Sequence, residues 1–388
     1  MSDLVKWQLC LLRYGGIDKM LVSIAQLLVL CALVADKPIT AASTHTSDSC
    51  GEVCHWSNSK YRLSFPTCAA ITPNGKYWYL EHLGFGSASS VIKAVLVPSH
   101  TRHSSCRPGS STAGLDHISN DENIVAIKIF DRRDTETETE ELYFHGIVSE
   151  FEILRAARHP NVVKGLELLQ NGERFFAVTE YCPESLMVNV QAGRVGLHEA
   201  SRIFRGILQA VAFLHLNGIA HRDIKIENIV ICAEGVPKLI DFGSATYFAL
   251  ENGEMKLFHG ESHNARERNH GLSYSTIDVV GTEVYLAPEV VGQRIDGYRA
   301  DIADIWHLGL LYVAIVLRKF PWKLATVDNE NFRRFLDRPE TLIDSLPNES
   351  RSIISRMLHP EPRGRATWDE ILADAWLGKG AKLLEYPY

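Results

Sequence analysis

The sequence predicts an α+β fold: a small β-rich part with one main helix, ending near residue 180, then a larger and mostly helical part. Three observations carry this. Lys76 to Val91, Ile124 to Phe130 and Phe175 to Thr179 are rich in aromatic or β-branched residues, which reads as strands. Apolar residues recur at helical spacing from Phe144 to Leu154 and from Leu197 to Asn217. A chain of 388 residues that is 46% hydrophobic can also bury a large core.

The first stretch in order is Met20 to Ala35, an apolar run interrupted by Ser23 and Gln26. It is shorter than the roughly 20 residues that span a bilayer, and it lacks a clear small-x-small cleavage site. It reads as a helix packed on the protein body, a membrane-surface helix, or a poorly ordered extension. From Thr40 to Thr72 periodicity fades and Ser and Thr rise, as in a linker. The expected division is an extension over 1–72, a folded domain over 73–380 (parts 73–180 and 183–380), and a tail over 381–388. The net charge of −7 gives no general basic character, so nucleic acid is not an expected partner. Cys50, Cys54 and Cys68 with His55 match no zinc spacing. Eight scattered cysteines, with Cys182 and Cys232 expected inside core elements, suit a reducing, cytoplasmic setting. Membrane association through 20–35 is the alternative.

In the β-rich part, Gly84 and Gly86 of Leu83-Gly84-Phe85-Gly86 let the backbone approach phosphate oxygens without a Cβ in the way. Ser89 stands where a third glycine would complete the set. Val125-Ala126-Ile127-Lys128 puts a lysine inside an apolar strand, which is costly unless the lysine is partnered. Pro98 to Asn120, rich in Ser and Gly, is expected to be a long surface loop. The acidic stretch Glu136 to Glu141 suits a helix N-terminus. In that helix Phe144, Ile147, Val148, Phe151 and Leu154 form the apolar stripe. Glu150 projects beside it, and Glu152 competes as the partner of Lys128.

The densest chemistry lies in His221-Arg222-Asp223-Ile224-Lys225-Ile226-Glu227-Asn228 and in Asp241-Phe242-Gly243. Between them two apolar runs joined through Ala233-Glu234-Gly235 read as a hairpin, which would return Asp241 to the neighbourhood of Asn228 and Asp223. An Asp able to take a hydroxyl proton would then meet an Asn and an Asp able to hold Mg²⁺. Phosphoryl transfer requires this arrangement, because a metal neutralises the developing charge while a base orients the nucleophile.

Together, H-R-D-x-x-x-x-N, D-F-G, V-A-I-K and the Gly-x-Gly strand resemble the eukaryotic Ser/Thr protein kinases. The resemblance implies the bilobal protein-kinase fold, with a small β-rich N-lobe carrying one main helix and a larger, mostly helical C-lobe. It implies ATP and Mg²⁺ as cofactors and transfer of the γ-phosphate to Ser/Thr hydroxyls of a protein substrate. It gives catalytic roles to Asp223, Lys225 and Asn228, and metal ligation to Asn228 and Asp241. Nucleotide contacts fall to Leu83, Gly84, Gly86, Val91 and Ala126, to Lys128 paired with Glu150, and to Val230 and Asp241. Glu180 and Cys182 would flank the adenine in a hinge, beside a Thr179 gatekeeper.

The same resemblance implies that the Thr282 hydroxyl bonds Asp223 and Lys225, that Asp304 holds the catalytic-loop backbone, and that Arg365 pairs with Glu289. Arg222 before the base implies activation by an upstream kinase, with Ser273, Tyr274, Ser275 and Thr276 as candidate sites. Arg318 to Leu324, Asn331 to Phe335, Glu349 to Ile354 and Arg365 to Thr367 look like the fungal halotolerance and nitrogen-permease-reactivator kinases. Those enzymes regulate membrane transporters, which is the role the finer resemblance implies. The alternative expectation is a catalytically weak pseudokinase scaffold.

Overall fold

The computed structural model of the chain describes residues 76–86, 88–97, 123–134, 139–248, 276, 278–292 and 297–378. The expected extension over 1–72, the 98–120 loop, the 381–388 tail, Glu136 to Glu138 at the head of the acidic stretch, and Ser273, Tyr274 and Ser275 lie outside the described residues. The chain divides into two compact units. The first holds the described residues up to Ile147 together with Gly165–Tyr181, and the second holds Val148–Lys164 and the described residues from Cys182 onward.

The first unit is a five-stranded antiparallel sheet built from β1 (Tyr77–Phe85), β2 (Ser89–Leu96), β3 (Ile124–Phe130), β4 (Gly165–Asn171) and β5 (Arg174–Glu180), in the order β1-β2-β3-β5-β4. Side chains alternate along a strand. Val125, Ile127 and Ile129 of β3 therefore join Ile92, Ala94, Phe176, Val178 and Tyr77 in one core, while Ala126 and Lys128 sit half-buried on the opposite face. Helix α1 (Glu140–Ala156) starts with Glu140 and Glu141, whose charges suit its positive N-terminal end. Ile147, Phe151 and Leu154 are buried as expected, but Phe144 is 48% exposed and Val148 is half-buried. Phe144 lies one turn before the packed stretch, where the ring of Phe175 meets it edge-on at 5.7 Å and leaves the rest open.

The second unit begins with β6 (Glu184–Ser185), α2 (Leu186–Gln191) and α3 (Leu197–Leu216). Helix α3 buries Ile203, Ile207, Val211 and Leu214 and stops before Gly218, whose φ of 68° ends the helical path. Short strands β7 (Ile219–Ala220), β8 (Ile229–Ile231), β9 (Pro237–Leu239) and β10 (Thr246–Tyr247) come next, then α4 (Pro288–Val291) and α5 (Ala300–Leu317). Helix α5 is long and apolar enough to cross a membrane by length and composition, yet 78% of it is buried inside the protein, so it serves as the core helix of this unit. Phe204 of α3 packs on Tyr312 of α5 at 5.0 Å between ring centroids. The unit closes with α6 (Glu330–Asp337), α7 (Glu340–Ile343), α8 (Asn348–Met357), α9 (Trp368–Ala373) and α10 (Ala375–Gly378). Thr367 and Glu370 form a reciprocal capping box at the start of α9.

Strand β9 is clamped by the loop ahead of β4. Leu239 N donates to Asn161 O, Val163 N to Leu239 O, and Asn161 Nδ2 to Pro237 O. That loop is braced by His159, whose Nδ1 accepts the Asn161 N–H at 3.1 Å and must therefore be unprotonated. Burial, helped by the Lys238 cation, lowers its pKa to about 4. The unfolded chain binds this proton near pH 6.5, so the contribution is fully present above that value and is lost as pH falls towards about 4. Urea unfolding at pH 7 and pH 4.5 is expected to show His159→Asn losing less stability on acidification than wild type, by on the order of 2 kcal/mol. Equal losses in the two proteins would remove His159 from the account.

Candidate active site

The chain leaves β7 at His221-Arg222-Asp223, and Arg222 takes a left-handed φ of 65°. A non-glycine residue holds that conformation only where its surroundings enforce it. Here the carboxylate of Asp304, fully buried in α5, accepts the backbone N–H of His221 and of Arg222, each at 2.8 Å. Burial alone would raise the Asp304 pKa. The hydrogen bond from His215, together with the His307 ring whose Nδ1 lies 3.5 Å from the carboxylate, outweighs it and holds the group well below the usual carboxylate range. His215 Nε2 lies 2.9 Å from Asp304, while Trp368 Nε1 donates to His215 Nδ1 at 3.0 Å, which leaves Nε2 as the protonated nitrogen. Nothing in the sequence pattern marks His215 or Trp368 as part of this support, because their partners are distant in the chain. Only the burial stripe of α3 could have hinted at His215.

Asp223 is 8% exposed, and its carboxylate is surrounded by donors. Lys225 Nζ reaches Oδ2 at 2.7 Å, and the Thr282 hydroxyl donates to Oδ1 at 2.9 Å. Lys225 also donates to the Thr282 oxygen at 2.7 Å, so the three groups form a closed triangle. Asn228 Nδ2 donates to the Asp223 carbonyl at 2.9 Å and lies 3.2 Å from Oδ2. Tyr285 holds the next residues through its hydroxyl, which accepts the Ile226 N–H at 3.1 Å. Gly281 is required beside this loop: its φ is 111°, and a Cβ there would lie 2.7 Å from the Arg222 carbonyl.

The β8–β9 hairpin pairs Ile229 with Leu239 and turns at Gly235, with φ 76°. The ladder continues through Ile240 N, which donates to Asn228 O at 2.9 Å, so Asp241 emerges beside Asn228. Asp241 is exposed and has a φ of 63°. Phe242 is buried, with its ring edge-on to His221 at 5.0 Å. A Cβ placed on Gly243 would lie 3.3 Å from Glu150 Oε2 and 3.4 Å from Asp241 Oδ1, so both carboxylates flank this glycine. Glu152, the competing acid on α1, is exposed.

The donor set fits a hard divalent cation. The Asn228 nitrogen is committed to Asp223, which leaves the amide oxygen as the ligating end, and Asp241 adds a carboxylate. Two protein oxygens with the rest supplied by phosphates and water is the usual way Mg²⁺ is held. Val230, in β8, is half-buried. Cys182 and Cys232 are not in core elements as expected. Both lie outside the strands, just beyond the β6–β8 pairing, and both are partly exposed, because the ladder ends before it reaches them.

The other candidate positions belong to the first unit. Val91 and Lys128 are direct cross-strand partners, Gly84 pairs with Val91 next to a bulge, and Ala126 pairs with Thr179. The Thr179 hydroxyl reaches the Ala126 carbonyl at 3.5 Å. Gly86 N donates to Ser89 O at 2.7 Å, closing the β1–β2 turn, and Ser89 is 8% exposed. Leu83 is 36% exposed and Glu180 ends β5 half-buried. Within this unit the sheet brings Gly84, Val91, Ala126 and Lys128 together. Within the second unit the loops bring Asp223, Lys225, Asn228 and Asp241 together, and α1 carries Glu150 to the glycine after Asp241-Phe242.

Residues 109–377, more than half the chain, match the family model described as protein kinase domain. The match begins after β1 and β2, which the structure joins to β3 in one sheet. Among curated proteins, the probable serine/threonine-protein kinase RTK1 of Saccharomyces cerevisiae is 32% identical over 61% of this chain and 36% of its own length. The nitrogen permease reactivator protein of the same yeast is 29% identical over 66% of this chain and 36% of its own. The serine/threonine-protein kinase oca2 of Schizosaccharomyces pombe is 29% identical over 69% of this chain and 47% of its own. The chain thus spans about a third to a half of the length of these relatives. With that match and the bilobal α+β architecture, the chain belongs to the protein kinase family, among relatives that are fungal Ser/Thr kinases.

Proposed function

We propose that this chain is a catalytically active Ser/Thr protein kinase that transfers the γ-phosphate of ATP to protein hydroxyls. The observation that carries the reading is the closed triangle of Asp223, Lys225 and Thr282, with Asn228 fixed on the same aspartate. Mg²⁺ held by Asn228 and Asp241 would neutralise charge on the phosphates. Asp223 orients the acceptor hydroxyl and takes its proton, and the Lys225 ammonium offsets negative charge developing on the group in transfer. Within the first unit, Lys128 is the group proposed to hold the α- and β-phosphates. Also in the first unit, Gly84 and Gly86 offer backbone N–H groups to the phosphates, and Leu83, Val91, Ala126 and the Glu180 backbone are proposed to contact the base; in the second unit, Val230 and the Cys182 backbone are proposed nucleotide contacts.

The domain is proposed to run over 73–380. Its setting is proposed as the cytoplasm, with membrane contact through 20–35 as the alternative to test. Regulation of a membrane transporter is supported by similarity to the nitrogen permease reactivator protein, and an upstream activating kinase by the Arg222 guanidinium, whose Nη1 lies 3.8 Å from Asp278. Incubating the full chain with Mg²⁺-ATP and a generic Ser/Thr protein substrate tests the central reading. Phosphoserine or phosphothreonine that disappears when EDTA removes the metal is the expected result. Nucleotide binding without any transfer would replace the enzyme with a scaffold.

A further inference from the structure

We propose that Cys182 and Cys232 are a modification site: a thiol pair that closes reversibly to a disulfide and so tunes nucleotide binding. Their sulfurs lie 2.9 Å apart. A disulfide is about 2.0 Å long, so bond formation needs only about 0.9 Å of further approach. The backbone already supplies the alignment. Strand β6 pairs antiparallel with β8, Glu184 opposite Ile231 and Ser185 opposite Val230, so continuing the two chains past the ladder brings residue 182 towards residue 232. Cys232 is fixed in turn: its N–H donates to Val236 O at 3.0 Å, and its carbonyl accepts the Gly235 N–H at 2.8 Å. The two residues are 50 apart in sequence, and the folded frame has already met most of the ordering cost of bringing them together.

Access is open on both sides. Both cysteines are partly exposed, and Pro183, Glu184, Ala233 and Glu234 next to them are exposed. With oxidised glutathione, one cysteine thiolate attacks the glutathione disulfide and expels a glutathione thiolate. The other cysteine thiolate then attacks the protein sulfur of the mixed disulfide and expels the second. The two protons lost by the cysteines end on the two released glutathione thiols, and two electrons pass from the protein to the oxidant.

The expected consequence rests on the kinase reading, in which the Cys182 backbone borders the adenine and β8 carries Val230. Drawing Cys182 towards β8 shifts the first of these against the second. The test uses the full chain equilibrated in glutathione buffers of increasing oxidised fraction, quenched with acid and digested with trypsin without reduction. The expected product joins peptides 175–194 and 226–238, two hydrogens lighter than their sum, vanishing on dithiothreitol treatment and absent from Cys232→Ser. Separate glutathione adducts on the two cysteines without the cross-link, or pairing of either with another cysteine, would overturn the site.

Mg²⁺-ATP affinity of the reduced and oxidised proteins is then compared by calorimetry. A several-fold weakening in oxidised wild type, absent from Cys232→Ser under the same buffer, is expected. Equal affinities would overturn the tuning role. A reduced protein that binds no nucleotide would count against the kinase reading and leave the cross-link result standing.

Discussion

Asp223→Asn is expected to lower the turnover of phosphate transfer by about 10²–10⁴-fold, the range over which a positioned general base contributes. The fold should stay close to wild type, because the carboxamide has nearly the shape of the carboxylate. Its chemistry differs in two ways. It cannot take the proton of an incoming hydroxyl, and its NH₂ must face Lys225 or Thr282, both of which donate to Asp223 now at 2.7 and 2.9 Å. A donor set against a donor in a site only 8% exposed loosens the triangle, so Thr282 should hold the neighbouring segment less firmly. Single-turnover transfer to a Ser/Thr substrate, measured beside thermal unfolding and ATP affinity, separates the two effects. A large fall in turnover with little change in melting or affinity is the expected pattern. Turnover within threefold of wild type would move the proton acceptor to another group and dismantle the proposed mechanism.

What could be read ahead of the structure was local. The β8–β9 hairpin is legible in two apolar runs around a glycine turn, the end of α3 in Gly218, and strand β3 in the β-rich run Ile124 to Phe130. Spacing alone could not rank Glu150 above Glu152, since both sit beside the apolar stripe of α1. In the structure the Glu150 carboxylate lies near Gly243, whereas Glu152 is exposed. The same limit applies to Phe144, which has the right spacing but stands where the packing layer ends. The left-handed conformations of Arg222 and Asp241 have no signature in residue type, because what enforces the first is a carboxylate in α5, 82 residues on. His215 is hidden for the same reason: its partners are Asp304 and Trp368, 89 and 153 residues away. Short-range periodicity carries secondary structure, whereas the supports behind the catalytic loop are long-range polar contacts.

The largest stability effect is expected at one such contact, the pair formed by Arg365 and Glu289. The guanidinium meets the carboxylate through two bonds of 2.7 and 2.9 Å, and the two side chains are 0% and 3% exposed. Arg365 also donates to the carbonyls of Ile302 at 2.9 Å and His359 at 3.2 Å, and lies over the Trp306 ring at 5.2 Å. Removing one member of a buried pair strands the other charge, at a cost of about 3–5 kcal/mol. The two single variants should therefore differ. Arg365→Ala leaves a carboxylate and the carbonyls of Ile302, His359 and Pro360 without these donors, whereas Glu289→Ala leaves a guanidinium that still has carbonyl partners, so the arginine variant should lose more. Replacing both, as in Glu289→Leu with Arg365→Met, should cost less than the two single losses added together, because no unpaired charge remains. Glu289 lies in α4, seven residues after Thr282, so the single variants should also lose phosphate transfer at temperatures where they remain folded. Urea unfolding of the four proteins gives the energies, and a loss below about 1 kcal/mol in Arg365→Ala would mean that the pair behaves as a solvent-screened surface bridge. That outcome would be hard to reconcile with side chains so fully enclosed, and it would require the segment holding Thr282 to be anchored by apolar packing around Leu286 and Val290 instead.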